Sequence, residues 1–267
     1  MSLSPQDALA AASRPVPRAA ATRRVLVVGG GGTLGSAVVE QLLASHRFER
    51  VGVLAGRAVQ PAVRSLQPVP DEAAARAAFA PDTALIVFDR ERHANGRDAA
   101  FVRPEPADLP AIAQHLFAAG VRCLVVVVPH APALLPQALK QGLASLDEGA
   151  VAALGFEQLV FMRMAQAGDA RGAADAKDGP AALHGLATWM LQQLRWMVPQ
   201  SEQPVRGLTV ARVAAALAVQ LPATPAGTRV LPPEVLAAAA QFADPTEAVA
   251  DWLAGQPVRV AASKQRW

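Results

Sequence analysis

Short apolar runs alternate with stretches of helical spacing along most of this chain. Val25 to Val28 are continuously apolar, as expected of a parallel strand buried on both faces. From Leu34 the period changes. Leu34, Val38 and Leu42 fall on one helical face, with Val39 and Leu43 beside them. Arg50 to Arg57 predicts a second strand, and the proline-punctuated residues 62–70 a short edge strand. Asp71 is a candidate cap for a helix through Ala80, with Glu72 in its first turn and Pro81 after its end. Ala84 to Phe88 predicts a strand, and Leu109 to Ala119 a helix ended by Gly120. Val121 to Val128 is the most apolar run and is expected to be central. A helix over 134–154 and a strand over Gln158 to Met164 follow. Beyond a Gly-, Ala- and Asp-rich stretch at 166–181, helices are expected over 182–198, 210–221, 233–241 and 246–254, with a short strand at Thr228 to Leu231. This alternation predicts right-handed crossovers and an α/β fold. Its centre is a doubly wound parallel sheet with helices on both faces, and a small, mostly helical extension follows at the carboxyl end.

The turn between the first strand and the first helix carries the most chemistry. Four consecutive glycines, Gly29 to Gly32, lead into Thr33-Leu34-Gly35. The loop reads as GxGxxG (Gly30, Gly32, Gly35) or as GxxGxxG (Gly29, Gly32, Gly35). Glycines let backbone approach a pyrophosphate closely, and the helix that follows aims free amides and its positive dipole end at it. Strand before and helix after supply the context this motif needs. Gly29, Gly31, Gly32, Thr33, Leu34 and Gly35 are therefore the candidate phosphate contacts. In a doubly wound sheet the ligand lies outside the carboxyl ends of the strands. That rule gathers the glycine loop, Arg57, the charged stretch 89–98, Pro129-His130 and residues 166–181 around one crevice.

Composition narrows the partners. The chain of 267 residues is 52% hydrophobic, enough for one large α/β domain with a substantial core. We expect residues 1–22 to be a disordered basic tail, 23–242 the main domain with 166–242 on its substrate side, and 243–267 a helix and tail. The net charge of +3 is already present in residues 1–24, and the rest is balanced. A basic excess on tails, with no basic face on the body, argues against nucleic acid. No stretch reaches the roughly 18 apolar residues of a membrane span. The single cysteine, Cys123, lies inside an apolar strand and reads as core, consistent with a cytoplasmic setting. The five histidines show no metal-ligand spacing, so no metal is expected.

The glycine loop, the second strand ending in Gly56-Arg57, Phe101-Val102-Arg103 as the start of a helix, the apolar strand Leu124 to Val128, and Arg163 closing a later strand together resemble the extended and atypical short-chain dehydrogenase/reductase family. Among its branches the chain looks most like the Tat-interacting-protein-type oxidoreductases, over about residues 23 to 242. The resemblance implies a Rossmann-like fold and a nicotinamide dinucleotide. Arg57 follows Gly35 by 22 residues, where an NAD enzyme usually carries an acid for the ribose hydroxyl. A guanidinium there suits a 2′-phosphate, so NADP(H) is expected over NAD(H). Arg90 is a further phosphate candidate, opposed by Asp89 and Glu91 where family members keep small residues.

The catalytic half of the resemblance is missing. The family's acid/base is a tyrosine with a lysine one helical turn later, and this chain contains no tyrosine. Counted one way Lys140 is the family lysine and Pro136 stands for the tyrosine. Counted from Arg163, Lys140 takes the tyrosine position and Ala144 the lysine position. Neither register restores the pair, and Pro129-His130-Ala131 offers no hydroxyl for the family's serine. His130 and Lys140 are the substitute acid/base candidates for a small carbonyl substrate. Three readings follow: an NADP(H)-binding sensor or regulator, an NADPH-dependent oxidoreductase using His130 or Lys140, and a cofactor-free module for a protein partner, whose interface would be the Trp189/Trp196 helix. An oligomer is compatible with each.

Overall fold

The structure, a computed structural model, describes residues 23–60, 63, 65–89, 100–130, 146–165, 205, 207–242 and 244–258. Strands β1 (Arg24–Val28), β2 (Arg50–Ala55), β3 (Leu66–Pro70), β4 (Thr83–Val87), β5 (Cys123–His130), β6 (Gln158–Ala165) and β7 (Gly227–Leu231) form one sheet in the order 3-2-1-4-5-6-7. Every pairing is parallel. The connecting helices are α1 (Thr33–Ala44), α2 (Ala73–Phe79), α3 (Leu109–Ala118), α4 (Leu146–Ala152), α5 (Gly207–Gln220), α6 (Pro233–Ala239) and α7 (Thr246–Leu253).

Alternate strand residues feed two separate cores. Val25, Val27, Leu85, Val87, Val125 and Val127 face α1, α5, α6 and α7. Leu26, Val28, Ala84, Ile86, Leu124 and Val126 face α2, α3 and α4. Strands buried on both sides explain why the apolar runs are continuous rather than alternating. Helix α1 buries Leu34, Val38, Val39 and Leu42, the predicted stripe. Burial of such side chains contributes about 1.5–3 kcal/mol each.

Several expectations need correction. The middle strand is β4, with β5 one place from it. Asp71 does not cap α2. Its amide extends the β3 edge by bonding Ala55 O, its carboxylate pairs with Arg76, and Glu72 takes the N-cap position without a side-chain bond. Phe101-Val102-Arg103 does not begin a helix. Phe101 forms an antiparallel bridge with Ala55, and α3 starts only at Leu109, after a 3-10 turn at Pro106–Asp108. Of the helix expected over 134–154, Leu146–Ala152 is seen and 131–145 lie outside the described residues. The 166–181 stretch and the Trp189/Trp196 helix also lie outside them.

Two arginines counted with the amino-terminal charge are structural. Arg23 donates to the Ala218 and Val219 carbonyls near the end of α5 and lies 5.0 Å over the Phe48 ring. Arg24 donates to Phe79 O. Among the described residues no helix is long and apolar enough to cross a membrane.

Candidate functional site

The glycine loop leaves the carboxyl end of β1 at its junction with β4. Gly29 has φ +90°, and a Cβ there would strike Val87 O. Gly35 lets α1 pack directly on the loop, because a Cβ would strike Gly29 O. The N-cap of α1 is Gly32, which has no side chain to satisfy the first-turn amides. The loop therefore leaves the first-turn amides of α1 without a side-chain cap. Gly31 and Leu34 are buried there, while Thr33 is exposed.

One of those amides already has an anion. Leu34 N donates to Asp89 Oδ2 at 2.7 Å. Asp89 is the second residue beyond β4, after Phe88, whose amide is held by Val127 O. Its carboxylate lies so close to Gly32 that no Cβ would fit there. A negative group near a helix N-terminus is favourable by about 0.3–1 kcal/mol when exposed, and Asp89 is exposed. Sequence reasoning placed Asp89 as a repellent of phosphate. It did not foresee the bond to Leu34. The available signal was an acid two residues after β4, facing a helix without a side-chain cap.

A second segment crosses the same edge. Val102 N bonds Leu54 O, while the amides of Gly56 and Arg57 both point to Ala100 O. Pro104 Cδ would lie 3.2 Å from a Cβ on Gly29. Residues 100–102 thus pair with the end of β2 past the point where β1 turns away, and Pro104 comes close to Gly29. Beneath them, on the α2 and α3 side, is a cavity of about 230 Å³ lined by Val28, Leu54, Arg76, Pro104, Ile112 and His115 among others.

Arg57 lies two residues past β2, exposed, on the rim of a separate cavity of about 500 Å³ with Ala58, Pro68, Pro70 and Glu72. His130 ends β5, in register with Ala165. Its side chain, together with Arg90 and Lys140, lies outside the described residues, as do Asn95 and the rest of 90–99.

Cys123 sits at the opposite, amino-terminal edge of the sheet and donates to Gln158 Oε1 at 2.9 Å. Burial, reinforced by Asp82 and Glu157, pushes its thiol up to about 12. It is a neutral core residue far from the crevice. Arg163 pairs with Glu148 at 2.8 Å, both buried, and ties β6 to α4. Among the described residues no group of three or more His, Cys, Asp or Glu is placed to hold a metal.

Sheet order decides the architecture, since 3-2-1-4-5-6 is the arrangement of dinucleotide-binding sheets. This is a Rossmann fold. No protein-family model matches the chain, and no curated protein matches it. It is similar to the solved structure of a Rossmann-fold NAD(P)-binding family protein from Shigella flexneri, at 18% identity and TM-score 0.34, covering 53% of this chain and 66% of that one. UDP-N-acetylglucosamine 4-epimerase from Bacillus cereus is 14% identical over 79% of each chain, with TM-score 0.43. UDP-glucose 4-epimerase from Brucella ovis, solved with NAD, is 18% identical with TM-score 0.43, covering 79% of this chain and 77% of that one. At these identities the likeness is one of fold.

Proposed function

We propose that this Rossmann-fold protein binds the pyrophosphate of a nicotinamide dinucleotide on its glycine loop and acts as a sensor or regulator. The observation that carries the reading is the loop itself. Gly29 and Gly35 hold backbone where side chains cannot stand, and a bare Gly32 N-cap leaves the amides of α1 for an anion. Thr33 and Leu34 amides would hold the pyrophosphate. Arg57, exposed on the rim of the larger cavity, would take a 2′-phosphate and so favour NADP(H). Such a cofactor supplies hydride chemistry when bound. This chain offers no tyrosine to move the accompanying proton, and its one cysteine is neutral and remote. We expect binding without turnover, in the manner of an atypical short-chain dehydrogenase-like protein that lacks the usual dyad.

A second reading is favoured by one observation. Because Asp89 occupies the Leu34 amide, the fold is self-sufficient without a dinucleotide and could serve protein contacts alone. Thermal shift with NADPH and NADH separates the two, since a ligand of the native state raises the melting temperature. NADPH is expected to raise it more than NADH, with no oxidation of NADPH across a carbonyl panel. No shift with either supports the cofactor-free module. Turnover lost in His130→Ala or Lys140→Ala would replace both readings with an oxidoreductase.

A further inference from the structure

We infer that the chain occupies its own dinucleotide cleft, with Asp89 standing in for a phosphate and residues 100–104 lying along the flank of β2, so that a ligand must displace both. The inference rests on the dinucleotide reading above and concerns how that site is regulated.

Two independent contacts converge on it. The first is electrostatic. Leu34 N is one of the few donors α1 offers to a pyrophosphate, and the Asp89 carboxylate holds it at 2.7 Å. A carboxylate and a phosphate oxygen compete for the same donor, and each raises the cost of placing the other nearby. The second is backbone pairing. Val102 N and Ala100 O satisfy Leu54, Gly56 and Arg57, immediately beside the point where Gly29 turns off β1. In a doubly wound sheet this is the crevice side of the strands.

Both contacts sit on anchored supports. Phe88, before Asp89, is buried and tied to Val127. Glu105, after Pro104, is held by a capping box with Asp108. Release therefore needs only a side-chain rotation at exposed Asp89 and the parting of a short backbone pairing, while β4 and α3 stay in place. A ligand that opens the site loses that free energy from its own binding, and its apparent affinity falls in proportion.

The test is NADPH titration of the full chain in three forms, wild type, Asp89→Asn and Asp89→Ala, alongside hydrogen exchange at the Val102 amide. Asn keeps the shape without the charge, so it remains informative should the alanine variant fold poorly. We expect NADPH to bind at least tenfold tighter to Asp89→Ala than to wild type, with Asp89→Asn between them. Val102 is expected to be protected in the free protein and to lose protection on NADPH addition. Equal affinity in all three forms overturns the inference and leaves the dinucleotide reading standing. So does binding that leaves Val102 as protected as before, for the flanking segment. If none of the three forms binds NADPH, the reading and the inference fall together.

Discussion

Two neighbouring connections leave the carboxyl edge of the sheet and behave in opposite ways. The one from β1 to α1 is short, rich in glycine and open, and it exposes amides that lack partners within their own helix. The one from β4 to α3 is long and charged, and its Asp89 satisfies one of those amides, that of Leu34, while Ala100 and Val102 bond the end of β2. The first leaves helix amides without a side-chain cap, and the second supplies a carboxylate to one of them. The shape of the proposed phosphate loop is thus a property of one connection, whereas its availability to a ligand depends on both.

The largest expected effect comes from breaking the first connection. Gly29→Ala forces a side chain onto Val87 O at φ +90° and is expected to cost about 3 kcal/mol or more of folding stability, read by chemical denaturation. An unchanged midpoint would mean that the turn is not as tight as described.

Smaller and more selective is Arg57→Ala. NADPH affinity is expected to fall about tenfold, roughly 1.4 kcal/mol, with NADH affinity and stability unchanged. Equal losses for both cofactors would assign Arg57 no role in choosing between them.

The second connection is probed in the free protein by Asp89→Ala. Losing the carboxylate from the start of α1 is expected to lower stability by about 1 kcal/mol, an effect that salt weakens. No loss would make the Leu34 contact incidental.

Cys123 provides a control at the opposite edge. Its thiol is raised from 9.0 to about 12, so the fold favours the neutral form. The stabilisation is complete below pH 9 and is lost as pH rises through about 12. Cys123→Ala should flatten this part of the alkaline profile while leaving NADPH affinity unchanged. In the native wild type, thiol reagents at pH 8 should react only after unfolding.

Much of the fold was legible because each strand is buried on both faces and each long helix on one. Leu34, Val38 and Leu42 announce α1 by spacing alone, and Gly120, at φ +92°, marks the end of α3 as expected. Misreadings fell where a distant partner overrode local preference. Asp71 has the chemistry of a cap, yet a neighbouring strand and Arg76 claim it. Pro104 already disfavours a helix at Arg103, and Ala55 of β2, beyond the last residue that β1 pairs, takes Phe101 into an antiparallel bridge. Arg23 looked like tail charge until the end of α5 supplied carbonyls for it.

The candidate site divides in the same way. Four glycines between an apolar run and a helical stripe are enough to specify a tight turn with free amides, because the requirement is local and steric. The absence of tyrosine is equally plain in the sequence and removes the familiar proton donor. Which group meets the Leu34 amide is decided by tertiary structure, since Asp89 lies 55 residues away and reaches it only through the pairing of β1 with β4. Local pattern determines the shape of the turn and the amides it leaves uncapped, and sheet order determines what stands in front of them.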